Sequence, residues 1–145
     1  MRAIEVVIDT NVIVSGLRNP KGPPGRILRL WRDGRITVRL SAQLRDEVLE
    51  ALDYPKVVKS AEWSEDAIAA FKRDLSNRSL DRVEPAGEVR DEDDRIVLGT
   101  AKAYPSDFII SGDKDLLVLE RFGSIPIFSP RRFIDFMDEL DASGS

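Results

Sequence analysis

Carboxylates carry the chemistry open to this sequence. Asp9 directly follows the β-branched run Ile4–Ile8, within Asp9-Thr10-Asn11, and Asp113 follows the apolar run Phe108–Ile110 by way of Ser111-Gly112. Two aspartates at the ends of neighbouring strands repel each other until one takes a proton or a cation intervenes. Asp94, Val97, Leu98 and Ala101 fall at i, i+3, i+4 and i+7, so Asp94 continues the apolar stripe of a helix. Glu47 borders the inward face of another helix, three residues after Leu44 and four before Ala51. An inward carboxylate is costly unless it is paired or bound to metal. Four acids converging on one sheet edge form a hard, all-oxygen site for Mg²⁺ or Mn²⁺, holding one or two ions. Such sites serve phosphoryl transfer, orienting water and stabilising charge on the attacked phosphodiester. Asp115 is a candidate fifth ligand, and Thr10, Asn11 and Ser111 can hydrogen-bond the carboxylates around them. Asp46 and Glu50 read as solvated charge, and Asp91, Glu92 and Asp93 as ordinary helix-start acids.

The elements that must position these residues alternate between strand and helix. Ile4–Ile8 reads as a strand buried on both faces, followed by a helix over 11–17 and a loop over 19–25 (NPKGPPG). A short helix over 26–33 closes at Gly34, and a strand follows at 36–40. Ser41 suits the cap of a helix that runs to about Asp53 and is broken by Tyr54-Pro55; Ser64 suits the cap of the next. A connector over 79–87, with a short edge strand at 80–83, leads to a helix from Asp94 to Ala103 and the strand Phe108–Ile110. Residues 113–121 read as helix, Ile125–Phe128 as an edge strand because of Pro126, and 130–140 as a closing helix. This order predicts a three-layer α/β/α fold around a central, mostly parallel sheet of four to five strands. It covers one domain over 1–141, with a frayed tail at 142–145. In such sheets ligands sit beyond the carboxyl ends of the strands, where Asp9 and Asp113 lie.

Composition narrows the chemistry further. The chain has 145 residues with neither histidine nor cysteine, which excludes disulfides, Cys/His zinc sites and histidine-based catalysis. With no histidine to act as base, a water activated by metal is the natural nucleophile. No run approaches the roughly 18 to 20 apolar residues of a membrane span, and the amino terminus lacks a signal-peptide plan, so a cytoplasmic protein is expected. The net charge of −4 conceals an asymmetry. Residues 1–45 hold nine Lys/Arg against three Asp/Glu, and the remainder holds thirteen against twenty-three.

Taken in order, Asp9-Thr10-Asn11, Glu47, Asp94 and Ser111-Gly112-Asp113-Lys114-Asp115 resemble the PIN-domain ribonucleases. The stretches VVIDTNVIVSGL, EVLEALDYPK, DDRIVLGTA and FIISGDKDLL are most similar to the prokaryotic branch described as toxin components of toxin–antitoxin pairs. The resemblance implies an acidic quartet of Asp9, Glu47, Asp94 and Asp113, with Asp115 as an accessory acid. It also implies a Mg²⁺- or Mn²⁺-dependent endonuclease for RNA, a homodimer, and a small antitoxin that blocks the acidic site. Gly99 and Pro105 depart from residues common in similar sequences.

On that reading the basic first third acquires a use. Arg26, Arg29 and Arg32 form one stripe on a short helix, with Arg18 and Lys21 in front of it, and could hold phosphates flanking the scissile bond. Trp63 is expected to pack between the two middle helices. Three other readings compete. A haloacid-dehalogenase phosphatase needs D-x-D, but position 11 is asparagine. A receiver domain needs an acidic pair at the first strand. A catalytically silent PIN scaffold that binds RNA or protein keeps the fold without turnover.

Overall fold

The structure, a computed structural model, describes residues 3–58 and 63–144. Its sheet has the order β2-β1-β3-β5-β4. The strands are β1 (Ile4–Ile8), β2 (Ile36–Val38), β3 (Phe108–Ile110), β4 (Arg121–Phe122) and β5 (Ile125–Phe128). Only β4 runs antiparallel to its neighbour. Around the sheet lie α1 (Thr10–Arg18), α2 (Pro23–Arg32), α3 (Ala42–Leu52), α4 (Pro55–Val58), α5 (Glu65–Asn77), α6 (Glu92–Ala103), α7 (Lys114–Leu117) and α8 (Pro130–Gly144). A five-stranded, mostly parallel sheet flanked by helices is the α/β architecture expected from the sequence.

β1 is central because its residues are apolar on both faces. Val6, Val7 and Ile8 are fully buried, and β1 pairs with β2 on one side and β3 on the other. Register sets the end of the sheet. Val6 stands opposite Phe108 and Ile8 opposite Ile110, so Asp9 and Ser111 emerge side by side. Register also puts Phe108 and Phe128 on one face, where Phe136 of α8 packs against both and Phe133 edges onto Phe108.

Several boundaries differ from the sequence reading. α2 begins at Pro23, inside the stretch expected as loop, because proline suits the first turn of a helix. Tyr54-Pro55 ends α3, but Pro55 then opens the short α4 for the same reason. Residues 80–83 form no strand; the connector is held instead by Gln43, whose side chain makes two hydrogen bonds with the backbone of Val83. The helix expected over 113–121 stops at Leu117, and Glu120, at φ +63°, turns the chain into β4. β4 therefore occupies the edge assigned to β5, and Pro126 stands opposite Arg121 of β4, while pairing with β3 begins only at Ile127. The tail expected to fray from 142 is helical as far as Gly144.

Gly99 has a clear packing reason. A Cβ there would stand 2.0 Å from the carbonyl oxygen of Glu84, where the connector crosses α6. Gly99→Ala must push backbone away from backbone, so it should destabilise the protein by about 1–3 kcal/mol in chemical denaturation. An unchanged midpoint would show that the connector yields freely.

Candidate metal centre

β1 and β3 deliver Asp9 and Ser111 to the same end of the sheet, and hydrogen bonds then lock them together. The Asp9 N–H donates to the carbonyl of Ile110 at 2.9 Å. The Ser111 hydroxyl donates to Asp9 Oδ2 at 2.9 Å and accepts from the Asp113 N–H at 3.0 Å. Asp9 Oδ1 accepts from the Asn11 N–H. Asp9 is thus buried with both carboxylate oxygens occupied, and it caps α1. On α3, Glu47 Oε2 accepts a hydrogen bond from the buried Thr10 hydroxyl at 2.9 Å.

Asp94 stands differently. Asp91 caps α6 by accepting from the N–H groups of Asp93 and Asp94, which turns the Asp94 side chain inward. It is 5% exposed, and its Oδ2 is buried with no hydrogen-bond partner. It groups with Asp113 and Asp115: one carboxylate oxygen from each of the three lies within 4.8 Å of the others. Asp113 also caps α7 by accepting from the Asp115 N–H. Asp9 and Glu47, expected as ligands alongside these, are not in the three-acid cluster, because their oxygens face Ser111, Asn11 and Thr10. Asn11 is exposed and lines a groove with Gly112, Asp113 and Pro130.

Burial and repulsion between like charges raise the proton affinity of Asp94, Asp9 and Glu47. Asp94 is pushed up to about 6, first by burial and then by the charges of Asp113, Asp9, Asp91 and Asp115. Asp9 is raised chiefly by burial, against the hydrogen bonds from Asn11 and Ser111, with Asp113 and Asp93 adding to the rise. Glu47 is raised by burial, against Thr10, and again by Asp93 and Asp9. Asp93, read from the sequence as a helix-start acid, lies exposed in the first turn of α6, and its charge adds to the rise at Asp9 and Glu47. Ile96, Val97 and Thr100, further along the same face, are buried. Thr100 donates to the Ser41 hydroxyl, which caps α3, so this face of α6 looks toward the helix that carries Glu47.

The expected basic stripe is largely engaged in other contacts. Arg26 forms an ion pair with Asp138 at 2.8 Å, and Arg29 donates to the carbonyl of Pro20. The Arg32 guanidinium lies 5.6 Å from the Trp63 ring centre, and Trp63 packs edge-on against Phe71 of α5. Arg18 and Lys21 are exposed.

The donors fit a hard divalent cation: all are carboxylate oxygens, and one is buried without a partner. Ionised Asp94 is the form that folding disfavours. Its raised pKa contributes stability that is fully present below the ordinary carboxylate range and is lost as pH rises through about 6. Asp94→Asn removes that titration. In EDTA it should exceed the wild type by about 3 kcal/mol at pH 7.5, converging near pH 4, when denaturant midpoints are compared. A pH-independent difference would contradict the assignment.

Residues 5–115 match the family model described as PIN domain. An uncharacterized protein of Methanocaldococcus jannaschii is 38% identical over 120 residues, spanning 80% of this chain and 75% of that protein. No solved structure matches the chain. The family match runs from β1 to Asp115 and so takes in all five acids that the sequence singled out. The chain therefore belongs to the PIN-domain family, whose members are in general metal-dependent nucleases.

Proposed function

We propose that the protein is a Mg²⁺- or Mn²⁺-dependent endoribonuclease that hydrolyses RNA phosphodiester bonds and serves as the toxin of a toxin–antitoxin pair. The observation that carries the nuclease reading is the buried, unpartnered Asp94 Oδ2 beside Asp113 and Asp115. A divalent cation in such a setting neutralises phosphodiester charge and acidifies water, which supplies the chemistry that a histidine-free chain lacks. Asp94, Asp113 and Asp115 would hold it directly, with Asp9 and Glu47 closing the set through one or two ions. Ser111 and Thr10 keep Asp9 and Glu47 oriented, and the Ser111 hydroxyl ties the end of β3 to that of β1. Asn11 is placed at the groove mouth to meet substrate. The homodimer, the antitoxin and a cytoplasmic location belong to the same reading and rest on the resemblance to toxin components. Among the described residues, no helix is long and apolar enough to cross a membrane.

A panel of single-stranded and structured RNAs tests the reading, incubated with Mg²⁺ or Mn²⁺ and with EDTA. Cleavage by the wild type should vanish in EDTA and fall by at least about 10²-fold in Asp9→Asn and Asp94→Asn, a loss of roughly 3 kcal/mol or more in transition-state stabilisation. RNA binding without metal-dependent cleavage would support the silent scaffold instead. Cleavage that survives both substitutions would remove the chemistry from these acids.

A further inference from the structure

The two ends of α8 are charged against its dipole. Acids favour the amino-terminal turn of a helix and cations the carboxyl-terminal turn. α5 and α6 follow this rule, with Glu65 and Asp66 in one first turn and Glu92, Asp93 and Asp94 in the other. α8 instead begins Pro130-Arg131-Arg132 and carries Asp138 and Asp141 toward its far end. The far end is compensated, because Arg26 and Arg35 form ion pairs with Asp138 and Asp141. The near end is not. Arg131 and Arg132 are exposed, and neither side chain enters an ion pair among the described residues. Helix stability does not explain the two arginines.

Their surroundings point to a use. The Arg132 guanidinium lies over the Phe128 ring, 4.6 Å from its centre, and with Arg121 it lines a cavity of about 560 Å³ along the β4–β5 edge. Glu120 is the acid in that cavity. Residues 128–130 connect it to the acidic centre. The Phe128 carbonyl accepts from the Ser111 N–H at 3.0 Å, and Pro130 lines the groove that holds Asn11 and Asp113. A polyanion whose scissile bond lies at Asp113 therefore meets cations without an ion-pair partner among the described residues on this side, whereas Arg26 and Arg32 of α2 face Asp138 and Asp33.

We propose that Arg131, Arg132 and Arg121 hold the backbone phosphates of single-stranded RNA as it leaves the acidic centre, and so position the strand for cleavage. The inference rests on the nuclease reading for its substrate. It assigns to α8 the role that the sequence suggested for α2.

The test compares R131Q/R132Q with R26Q/R35Q, which removes the same two charges elsewhere. Binding of a fluorescent single-stranded RNA is measured against salt in the Asp94→Asn background. R131Q/R132Q should weaken binding about tenfold and lower the log–log salt slope by roughly 1.4, about 0.7 for each phosphate no longer neutralised. R26Q/R35Q should stay within about twofold. R131Q/R132Q should melt at or above the wild-type temperature, since it removes cations from the positive end of a helix. In the active protein, KM for RNA should rise with kcat unchanged, while hydrolysis of bis(4-nitrophenyl) phosphate, too small to reach the strip, stays the same. Equal effects from the two double variants, or RNA binding without salt dependence or none at all, would overturn the proposal. If no substrate is hydrolysed by the wild type, the nuclease reading fails while the binding comparison still decides the strip.

Discussion

Asp94 buries a carboxylate oxygen that no donor reaches, with Asp113 and Asp115 close by. The rest of this end of the molecule is arranged around that repulsion. Parallel register between β1 and β3 brings Asp9 beside Ser111, and one hydroxyl then serves both the Asp9 carboxylate and the Asp113 backbone. Thr10 does the same for Glu47 from the first residue of α1. Asp91 commits its carboxylate to the backbone of α6, which fixes the direction of Asp94.

Helix ends relieve part of the charge. Asp94 lies in the first turn of α6, Asp113 caps α7 and Asp9 caps α1, so three positive helix ends face the acids. Each contributes some 0.3–1 kcal/mol at an exposed terminus. A rise in the Asp94 pKa to about 6 corresponds to roughly 3 kcal/mol against its charged form. Helix dipoles and hydrogen bonds therefore leave an excess of negative charge, which a divalent cation can neutralise and the chain's own groups do not. At α8, by contrast, arginines stand at a helix end that would ordinarily carry acids.

Much of this was legible wherever one residue pattern had one physical meaning. The β-branched run before Asp9, the serine caps at Ser41 and Ser64, and the helical stripe through Asp94 each report local geometry, and the structure has the corresponding elements. The burial of α6 was under-read, because one apolar stripe was taken to define its inner face, whereas that helix is buried all round from Ile96 to Ala101. The engagement of Arg26 was not legible, because its partner Asp138 lies 112 residues away and no local pattern signals it. Glu120 could not be read as a turn, since glutamate gives no sign of a left-handed backbone; only the short strand it feeds explains it. Pro126 suggested an edge, but β5 lies between β3 and β4, and the two-residue β4 beyond it left no pattern in the sequence.

If these acids form a divalent-cation site, its occupation must displace a proton. Calorimetric titration with Mn²⁺ near pH 6, repeated in buffers of different ionisation enthalpy, measures both the binding and the protons released. Saturable binding is expected, with a substantial fraction of one proton released per ion at pH 6 and much less at pH 8. Asp94→Asn should lose most of both. Absence of binding, or binding and proton release that persist unchanged in Asp94→Asn, would contradict the assignment.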